Sequence, residues 1–477
     1  MPSFDTNVQE LKYKVLKEIA KALYNDTLIE SYNEIPKIIS PGPKSKLRCC
    51  IYKERAIVLE RMKLALGGNK EIDNVVEVIK IACDECPLGG YEVGNRCRGC
   101  IAHRCETACK RNAIVFDEKT HTAIIDKEKC VQCGMCAKAC QYNAIQNYSR
   151  PCEVACKVKA ISMDEDHSAK INDEKCVQCG ACVYHCPFGA IMDKSFIKNA
   201  IDILKDSENS NKYPVYAIIA PSIVSQFHGS TVGQLVTAIK KLGFSHVVEA
   251  ALGADMVSYN EAKELSEKGF LTSSCCPTFV TLIKKYYPVL ADKISTNLSP
   301  MATIAKWIKT KNPDCKIMFI GPCISKKKEI EDEKVKPYVD VVLTFEELQA
   351  LIDAKEIDLK SLPESELDTA SYYGRIFARS GGLTDAVKEA LKEQNSSFDL
   401  KPMFVDGLDN CKIVLAKVKG GIVDWNFIEG MGCLGGCIGG PACLTHEVKD
   451  KNTVDKYGSQ SSQISIEDAI NKLEKTK

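Results

Sequence analysis

Sixteen cysteines lie between Cys83 and Cys186, and this concentration limits what the chain can fold into more than any other feature of its sequence. A segment so dense in thiols is organised either by disulfide bonds or by bound metal. The N-terminus is polar, unlike a signal peptide, and no stretch reaches the roughly 18 apolar residues of a membrane helix. We therefore expect the protein in the cytoplasm, where thiols stay reduced, and we expect the cysteines to hold metal.

The net charge argues against two further classes of partner. With 64 Lys and Arg against 63 Asp and Glu, nothing in the charge balance favours nucleic acid or a membrane surface as a partner.

Two four-cysteine runs share one spacing, in which two steps of three residues are followed by a step of four. Three thiolates in such a tight loop hold three corners of a 4Fe–4S cube, and the fourth cysteine reaches a second cube. Zinc sites instead place their ligand pairs about a dozen residues apart, so the spacing favours iron–sulfur. The runs are Cys130-x2-Cys133-x2-Cys136-x3-Cys140 and Cys176-x2-Cys179-x2-Cys182-x3-Cys186.

Both runs belong to an internal repeat, because residues 105–145 and 152–191 match almost position by position. Each unit carries a Cys-x3-Cys half before its four-cysteine run. A nearby pair completes the first unit, and the left-over pair, Cys83 and Cys86, is available to the second. The ferredoxin crossing rule then predicts four cubes. Their ligand sets are Cys97, Cys100, Cys105 and Cys140; Cys109, Cys130, Cys133 and Cys136; Cys156, Cys176, Cys179 and Cys182; and Cys83, Cys86, Cys152 and Cys186.

The repeat predicts a duplicated bacterial-ferredoxin-like domain over residues 79–192. Its layout resembles the four-cluster subunits of molybdenum oxidoreductases, a resemblance confined to this region. The resemblance implies about four accessory 4Fe–4S clusters that conduct electrons as a chain of redox centres. The isolated, adjacent Cys49 and Cys50 suit neither a mutual disulfide nor a cluster motif, and we interpret them as structural or free thiols.

The segments on either side of the array have different patterns. Residues 1–78 show helical periodicity over 8–24 and over Glu54–Leu66, and we interpret them as a helical accessory cap packed on the array. Residues 210–477 alternate apolar strands with helices, which is typical of an α/β domain. The polar run from Lys205 to Lys212 is predicted to link this domain to the array.

Three loops of the C-terminal domain combine cysteine with glycine, proline or lysine. Together they supply four thiolates, enough for one more cube, and their glycines let the backbone approach a bulky ligand. Buried cysteines in glycine-rich turns are the simpler alternative. The loops are Leu271-Thr-Ser-Ser-Cys275-Cys276-Pro277, Ile320-Gly321-Pro322-Cys323-Ile-Ser-Lys326-Lys327-Lys328-Glu329 and Glu429-Gly-Met431-Gly-Cys433-Leu-Gly-Gly-Cys437. The four candidate ligands are Cys276, Cys323, Cys433 and Cys437.

These loops resemble the signature loops of the FeFe hydrogenases, whose forms are Thr-Ser-Cys-Cys-Pro, Met-Pro-Cys-x-x-Lys-Lys-x-Glu and Glu-x-Met-x-Cys-x-x-Gly-Cys. The resemblance spans roughly residues 214–445, with all three loops in order. It implies an α/β domain holding an H-cluster, a 4Fe–4S cube joined through a shared cysteine to a di-iron centre with CO, cyanide and dithiolate ligands. It also implies interconversion of H2 with protons and electrons, with ferredoxin or another small redox protein as partner. Separate maturation proteins are implied to insert the di-iron unit.

The resemblance further implies roles for single residues. The four loop cysteines are the implied cube ligands, with Cys437 as the bridge to the di-iron unit. Lys326 is implied to hydrogen-bond a cyanide, where an ammonium makes a charge-assisted contact. The other implied cofactor-binding residues are Ala220, Pro221, Ser222 and Met431.

By the same resemblance, the presence of Cys275 distinguishes active enzymes from inactive relatives. Its thiol is implied to stand beside the dithiolate amine and to pass protons to the open iron. Carboxyl and hydroxyl groups behind it can relay a proton through a dry interior. A solvated helix face is the simpler interpretation of each glutamate alone, although Glu261 and Glu264 lie three apart on one predicted helix. The matching relay positions are Glu261, Glu264, Ser295 and Glu329.

Some positions depart from the family pattern in a way that is similar to a divergent, ferredoxin-rich branch. Gly321 replaces the methionine before Pro-Cys, which would pack against the di-iron pocket and tune it. We expect the departures to alter rate, potential and oxygen tolerance but not cluster binding. The other departures are Ser273 for threonine, Thr278-Phe279 for Gly-Trp, and the shortened ending Gly439-Gly440-Pro441.

Three functions are compatible with these features. The first is a hydrogenase that exchanges electrons with ferredoxin. The second is a non-catalytic relative in iron–sulfur assembly or hydrogen sensing, against which Cys275 and Lys326 are both present and no signalling domain is attached. The third is a polyferredoxin carrier, against which the loop cysteines are complete. The histidines near cysteines, which are His103, His185 and His446, are interpreted as structural.

Overall fold

The structure is a computed structural model that describes residues 3–367, 369–463 and 465–475. Its N-terminal segment is helical, as the apolar periodicity predicts. The first helix begins after Thr6, whose hydroxyl accepts a hydrogen bond from the amide of Gln9 (3.2 Å), and it buries Val15 and Ile19. The four helices are α1 (Asn7–Tyr24), α2 (Leu28–Ser31), α3 (Ile35–Ile39) and α4 (Ile51–Ala65).

The cysteine array consists of two-stranded antiparallel sheets and helices of one turn. Its elements are β1 (Val76–Val78), β2 (Gly90–Val93), α5 (Arg104–Thr107), β3 (Ile114–Phe116), β4 (Ala123–Ile125), α6 (Met135–Ala139), β5 (Ile145–Tyr148), α7 (Pro151–Ala155), β6 (Ile161–Met163), β7 (Ala169–Ile171), α8 (Ala181–His185) and β8 (Ile191–Asp193). The strands pair as β1–β8, β2–β5, β3–β4 and β6–β7. Because β3–β4 and β6–β7 occupy equivalent positions, the sequence repeat is also a structural repeat.

A recurring backbone turn brings an amide onto the sulfur of the last cysteine in each half of each repeat. The residue three positions after that cysteine has a positive φ between 49° and 56°. The amide of the alanine that follows donates to the sulfur at 3.1–3.4 Å, a contact that tunes cluster-bound thiolates. The four pairs are Ala113 and Cys109, Ala144 and Cys140, Ala160 and Cys156, and Ala190 and Cys186.

The C-terminal domain is built on two parallel sheets, as the alternation of strands and helices predicts. One sheet has the strand order β10-β9-β12-β13 and the other β11-β15-β14. The strands are β9 (Val215–Ile219), β10 (His246–Glu249), β11 (Leu271–Thr272), β12 (Lys316–Gly321), β13 (Val341–Thr344), β14 (Pro402–Asp406) and β15 (Phe427–Met431). The helices are α9 (Ile197–Asp206), α10 (Val232–Lys241), α11 (Ala250–Lys268), α12 (Pro277–Tyr286), α13 (Pro300–Lys311), α14 (Ser325–Glu329), α15 (Phe345–Ala354), α16 (Tyr372–Ile376), α17 (Gly382–Glu393), α18 (Leu408–Lys419), α19 (Asp450–Gly458) and α20 (Ile466–Lys475).

The three cysteine loops leave the carboxyl ends of parallel strands in both sheets. Cys323 follows β12 in the first sheet, whereas Cys275 and Cys276 follow β11 and Cys433 follows β15 in the second. Ala220 follows β9, the strand beside β12. The sequence places functional loops at this edge of an α/β domain, and the observed topology agrees.

The N-terminal helices do more than cap the array, so that interpretation is wrong about their packing partner. Helix α1 packs against α15, and the two share one apolar core with the four-stranded sheet. Helix α4 reaches the core of the array through Ile57 and Leu64. The physical reason is a charge inside the apolar face of α1, because buried Lys12 pairs with both Asp193 (2.6 Å) and Glu346.

The predicted linker from Lys205 to Lys212 is not a free connection. Lys205 and Asp206 complete α9, which packs on α1 and β13, and Ser207 is fully buried. Polar residues misled the sequence interpretation because they also occupy the outer face of an amphipathic helix. Strand β1, from the predicted N-terminal segment, pairs with β8 of the array. The division of the chain at 78, 192 and 210 stays a prediction.

Candidate active site and cluster sites

The structure brings the four loop cysteines together in the interior. Burial raises the pKa of the Cys276 thiol, and the charge of Cys323 raises it further. Burial also raises the pKa of Cys437 to about 12 and that of Cys433 well above its ordinary value, again with contributions from Cys323 and Cys276. Thiols with pKa values raised in this way need a bound cation to ionise, which is what a metal cluster supplies.

Two hydroxyl groups that sequence reasoning missed lie beside Cys323. The Oγ atom of Ser325 lies 3.2 Å from Cys323 Sγ. Thr278 Oγ1 donates to Ser325 Oγ at 3.0 Å, which leaves the Ser325 proton available to the sulfur. Thr278 is one of the departures from the family pattern, and this contact gives it a physical role. The signal in the sequence is only that hydroxyl residues stand next to cysteine.

Unsatisfied polar atoms test whether an H-cluster fits this site. Ser222 is fully buried, and its hydroxyl has no hydrogen-bond partner among the described residues. A buried hydroxyl without a partner is costly, so such a group indicates room for a ligand that accepts its proton. Ser222 lies in the Ala220–Pro221–Ser222 segment, where a cyanide ligand is expected. The residues present therefore fit the implied group.

Lys326 lies at the same site, with its ammonium held by the protein. Its Nζ donates to Glu329 Oε2 (2.6 Å) and to Ser299 Oγ (3.2 Å), and it lies 5.7 Å from the centre of the Phe319 ring. Burial opposes its charge, but Glu329 and Cys323 raise the pKa of Lys326. The side chain is thus a buried cation beside the four thiols. Glu329 is brought to Lys326 and has no hydrogen bond to the other predicted relay residues.

The remaining relay positions form a line from Cys275 outward. Burial and then the charge of Glu261 raise the pKa of Cys275 well above its ordinary value. Glu261 is fully buried, and burial raises its pKa to about 8, while the nearby hydroxyls of Ser295 and Ser274 oppose the rise. Ser295 Oγ donates onward to Glu264 Oε2 at 2.9 Å. Glu264 binds Lys268 at 2.6 Å, and that lysine is 41% exposed, so the line reaches solvent.

Two residues that the sequence did not single out complete the line. Ser274 Oγ lies 3.5 Å from Glu261 Oε1, and it donates to the carbonyl of Asn297 at 2.8 Å. Asn297 Nδ2 donates to Glu264 Oε2 at 2.9 Å. Burial opposes the charge of Glu264, but Lys268 and the neighbouring donors lower its pKa. Glu261 therefore holds a proton at neutral pH while Glu264 is ionised.

Gly321 and Met431 each end a strand that leads into a cysteine loop. A Cβ at Gly321 would meet the Phe319 ring at 2.6 Å and the Ala220 Cβ at 3.2 Å. The Phe319 ring thus fills the space beside position 321, which explains in packing terms why no methionine stands there. Met431 ends β15 and is buried, and its carbonyl accepts from Cys411 Sγ at 3.4 Å.

The array cysteines also group as neighbours. Burial raises the pKa of several of these thiols, and in each case the charges of the predicted partner cysteines raise that pKa further. These neighbours include every member of the four sets except Cys97 and Cys133. The groups are Cys105 with Cys140 and Cys100; Cys136 with Cys130 and Cys109; Cys182 with Cys179, Cys176 and Cys156; and Cys83 and Cys152 with Cys186 and Cys86.

The array approaches the loop cysteines at one point. The charge of Cys179 contributes to the raised pKa of Cys433. A cavity of about 1060 Å³ is lined by both of these cysteines. The third predicted cluster site therefore lies next to the site in the C-terminal domain.

Single-ion sites and membrane helices are not found in the part of the chain that the structure describes. No three His, Cys, Asp or Glu side chains there are arranged to hold one metal ion, whereas a cube places each thiolate on a different iron. None of the described helices combines the length and apolarity needed to cross a membrane.

Two of the histidines near cysteines make contacts of an ordinary structural kind. The ring of His103 stacks on that of Phe116 with ring centres 3.6 Å apart, and His446 Nδ1 lies 2.5 Å from Asp5 Oδ2.

Known proteins resemble this chain in all three regions that carry cysteine motifs. The sequence model described as "Iron only hydrogenase large subunit, C-terminal domain" matches residues 213–441. Models described as "4Fe-4S dicluster domain" and "4Fe-4S binding domain" match residues 150–190 and 123–146.

Two curated relatives align over most of the chain. Iron hydrogenase 1 of Clostridium pasteurianum is 30% identical over 395 residues, which are 71% of this chain and 68% of that protein. The periplasmic [Fe] hydrogenase large subunit of Nitratidesulfovibrio vulgaris is 29% identical over 74% of this chain and 94% of its own length. The cytosolic Fe-S cluster assembly factor NAR1 of Candida dubliniensis is 31% identical over only 24% of this chain.

A solved structure has the same fold in the C-terminal domain. It is the [FeFe]-hydrogenase HydA(deltaEFG), with a TM-score of 0.50 and 20% identity over 59% of this chain and 94% of that chain.

Proposed function

The chain belongs to the iron-only hydrogenase family, and from this premise we propose that it is a hydrogenase that interconverts H2 with protons and electrons. The observation that carries the proposal is the line from Cys275 through Glu261 and Ser295 to Glu264. It begins beside the four loop thiols and ends at solvent. A protein that only holds clusters has no need of such a line.

The proposed H-cluster ligands are the four loop cysteines. When bound, the H-cluster supplies the open iron at which H2 is split or formed. Lys326 and Ser222 support the assignment, because a buried ammonium lies near Cys323 and Cys437 and the segment of the unpartnered Ser222 hydroxyl packs against the turn that begins at Cys437. The proposed ligand and cofactor-binding residues are Cys276, Cys323, Cys433, Cys437, Ala220, Pro221, Ser222, Lys326 and Met431.

The chain's own groups move the proton. In the direction of H2 formation, Cys275 gives its thiol proton to the site and regains one from Glu261, which is protonated at neutral pH. Ser295 then passes a proton from Glu264 to Glu261 by donating one hydrogen and accepting another. Glu264 is refilled from solvent near Lys268. We propose that Glu329 acts apart from this line, holding Lys326 in place.

Electrons are proposed to reach the site through about four accessory 4Fe–4S clusters in the array. The neighbouring thiols of Cys179 and Cys433 support an exit from the array at this point. We further propose ferredoxin or another small redox protein as electron partner, and maturation proteins that insert the di-iron unit. The proposed cluster ligands and Cys275 must be reduced, which supports a cytoplasmic location.

The test is hydrogen turnover with a small artificial dye, measured on the matured protein and two neighbouring cysteine variants. Cys275→Ala should retain its iron but lose activity by a factor of about 10² or more, since a relay group is lost and no ligand is. Cys276→Ala should lose iron as well. A matched control is Cys411→Ala, another buried cysteine near Cys276, which should stay active.

Two outcomes would contradict the proposal. A fully loaded wild-type protein without turnover in either direction would instead favour a non-catalytic relative. Near-normal turnover of Cys275→Ala would remove this residue from the proton path.

A further inference from the structure

The fourth predicted cluster site differs from the other three in the side chains around it. We call it the arginine-flanked site, and it consists of Cys83, Cys86, Cys152 and Cys186. Arg150 is 1% exposed and Arg61 is 2% exposed. Over residues 3–367, 369–463 and 465–475, neither guanidinium forms an ion pair with a carboxylate.

Arg150 comes two positions before Cys152 and turns its charge toward the site. Its guanidinium contacts Cys86, and Cys83 and Cys152 lie close by. Its Nε and Nη1 atoms are buried and have no hydrogen-bond partner in the described chain. These N–H groups are therefore available to an acceptor that lies among the cysteines.

Arg61 approaches from helix α4, on the side of Cys186. Its Nη2 donates to the carbonyl of Phe188 at 3.0 Å, while Nε has no partner in the described chain. Its guanidinium packs against Gly189, where a Cβ would meet Nη1 and Nη2 at 2.8 Å. The equivalent turns use Asn112, Asn143 and Lys159. A Cβ there would also meet Val8 Cγ1 at 2.7 Å, so glycine at 189 leaves room for both Val8 and Arg61.

A third arginine nearby is already neutralised. Arg48 Nη1 lies 3.6 Å from Asp84 and 3.5 Å from Glu85, both of which are partly exposed. At the third site the cation is Lys285, which donates to the carbonyl of Cys176 at 2.8 Å but is exposed. The other buried cations of the described chain each pair with a carboxylate, and they are Lys12, Lys194, Lys326, Lys327 and Arg375. The surplus of buried positive charge is specific to the arginine-flanked site.

Two buried cations without carboxylates cost several kcal/mol each unless an anion compensates them. Four neutral thiols do not supply that anion. A 4Fe–4S cube with four thiolates does, since it is a dianion when oxidised and a trianion when reduced. The cations therefore stabilise the reduced cube more than the oxidised one, and net charge and hydrogen bonds to sulfur are what set cluster potentials.

We propose that the arginine-flanked site holds the accessory cluster with the highest reduction potential, which stores an electron while its neighbours are oxidised. This rests on the proposed function, in which the site binds a cube. The step is a one-electron transfer from a neighbouring reduced cube, which is oxidised as this cube is reduced, and no proton needs to move. Arg150 and Arg61 act as positioning residues that set the potential.

The experiment is a redox titration of the full, cluster-loaded chain followed by electron paramagnetic resonance. Cys152→Ala identifies the signal of this site, which should be the first accessory signal to appear on reduction. Arg150→Gln and Arg61→Gln should each make reduction of that cluster at least tenfold less favourable, a shift of about 59 mV for one electron. Arg104→Gln, an exposed arginine beside Cys105, should leave every potential unchanged.

Three results would overturn the inference. One is that the signal lost in Cys152→Ala is not the one of highest potential. The second is that both glutamine variants keep the wild-type potential. The third is that Arg150→Lys, which keeps the charge, shifts as far as Arg150→Gln. If Cys152→Ala instead loses no iron and no signal, the cluster assignment in the proposed function fails, which iron and sulfide analysis distinguishes.

Discussion

Glu261 is a carboxyl group with no exposure to solvent, and one of its oxygens, Oε2, has no hydrogen-bond partner in the described chain. Its pKa of about 8 means that the folded protein keeps a proton that the unfolded chain, with a pKa near 4.5, has released. The proton serves the proposed relay, whereas burying the carboxyl group is a cost for stability. At the residue scale, function and stability are therefore opposed at this position.

The first prediction concerns the pH dependence of stability. Because the folded pKa of Glu261 is raised, its contribution is fully present below about pH 4.5 and is lost as pH rises to about 8. The slope is about 1.4 kcal/mol per pH unit for such a group. Glu261→Gln should therefore flatten the fall in unfolding temperature between pH 5.5 and 8. Anaerobic thermal unfolding of the loaded protein measures this.

The control for this prediction lies on the same helix. Glu267 is exposed, so Glu267→Gln should keep the wild-type pH profile. Asp255 and Glu429 are also buried with raised pKa values, and they should preserve a residual slope in every variant. A Glu261→Gln profile parallel to wild type would show that Glu261 is already ionised in the folded protein.

The candidate residues of the three loops came from their resemblance to the FeFe hydrogenase signature loops, and the candidate array ligands came from cysteine spacing; both sets of roles stay predictions. The surroundings were not readable. Ser325 and Phe319 act through contacts that only folding creates, one with Cys323 and one beside Gly321. Glu329 shows the same limit, since the sequence could not tell that its nearest partner is Lys326.

At the scale of elements, a buried charge network ties three segments together. Lys12 of α1 binds Asp193 at 2.6 Å and also Glu346. Lys327 of α14 binds the other oxygen of Asp193 at 2.8 Å and Glu347 of α15 at 2.9 Å. The network thus joins the N-terminal helix, the end of the array and the loop that follows Cys323.

The second prediction tests this network. Lys12→Met should lower the free energy of unfolding by about 3–5 kcal/mol, because removing one partner leaves buried carboxylates uncompensated. Lys14→Met is the matched control, since Lys14 lies on the exposed side of the same helix and should change stability by less than about 0.5 kcal/mol. Denaturant unfolding of both variants measures the difference. Equal losses in the free energy of unfolding would show that the buried ion pairs of Lys12 do not stabilise the fold more than an exposed pair does.

Apolar periodicity predicted the long elements correctly, because helices α1 and α4 and the alternation of strands and helices each leave a regular spacing of apolar residues in the sequence. It failed for connections between segments. The pairing of β1 with β8, and the packing of α1 on α15, depend on partners more than 100 residues away. A sequence window holds no signal for such contacts, so the cap and the linker were misplaced.

At the scale of the whole molecule, the first repeat unit is the end of the array farthest from the catalytic domain. Hydrogen bonds of its residues run within the array, whereas the second unit is bonded to Lys285, Tyr286 and Lys412 of the C-terminal domain. Cys100 is exposed in the first unit, and the adjacent Ile101 is fully exposed. In the proposed electron route, a carrier approaches the array most directly at this exposed end.

The third prediction is that acidic carriers dock at this end. Arg98, Lys110 and Arg111 are exposed, and no ion pair within the described ranges neutralises them. Changing all three to Glu should lower turnover with an acidic ferredoxin at least tenfold at low salt, since steering by charge sets the association rate. Turnover with a neutral dye should not change. Hydrogen evolution with each donor, over a range of salt, measures both effects.

A matched triple variant provides the control. Lys334, Lys336 and Lys388 are exposed cations of the C-terminal domain, and changing them to Glu alters net charge equally. That variant should keep its ferredoxin-linked rate. If it loses as much rate as the first variant, net charge and not the position of the charge governs the encounter.

The most direct test of the account is an infrared spectrum of the matured protein, because only the di-iron unit brings CO and cyanide to this chain. We predict bands of iron-bound CO and cyanide in the wild type, unchanged in number in Cys275→Ala and absent in Cys437→Ser. A wild-type protein that has received the di-iron unit from competent maturation proteins, yet shows no such bands, would contradict the claim that these loops hold an H-cluster.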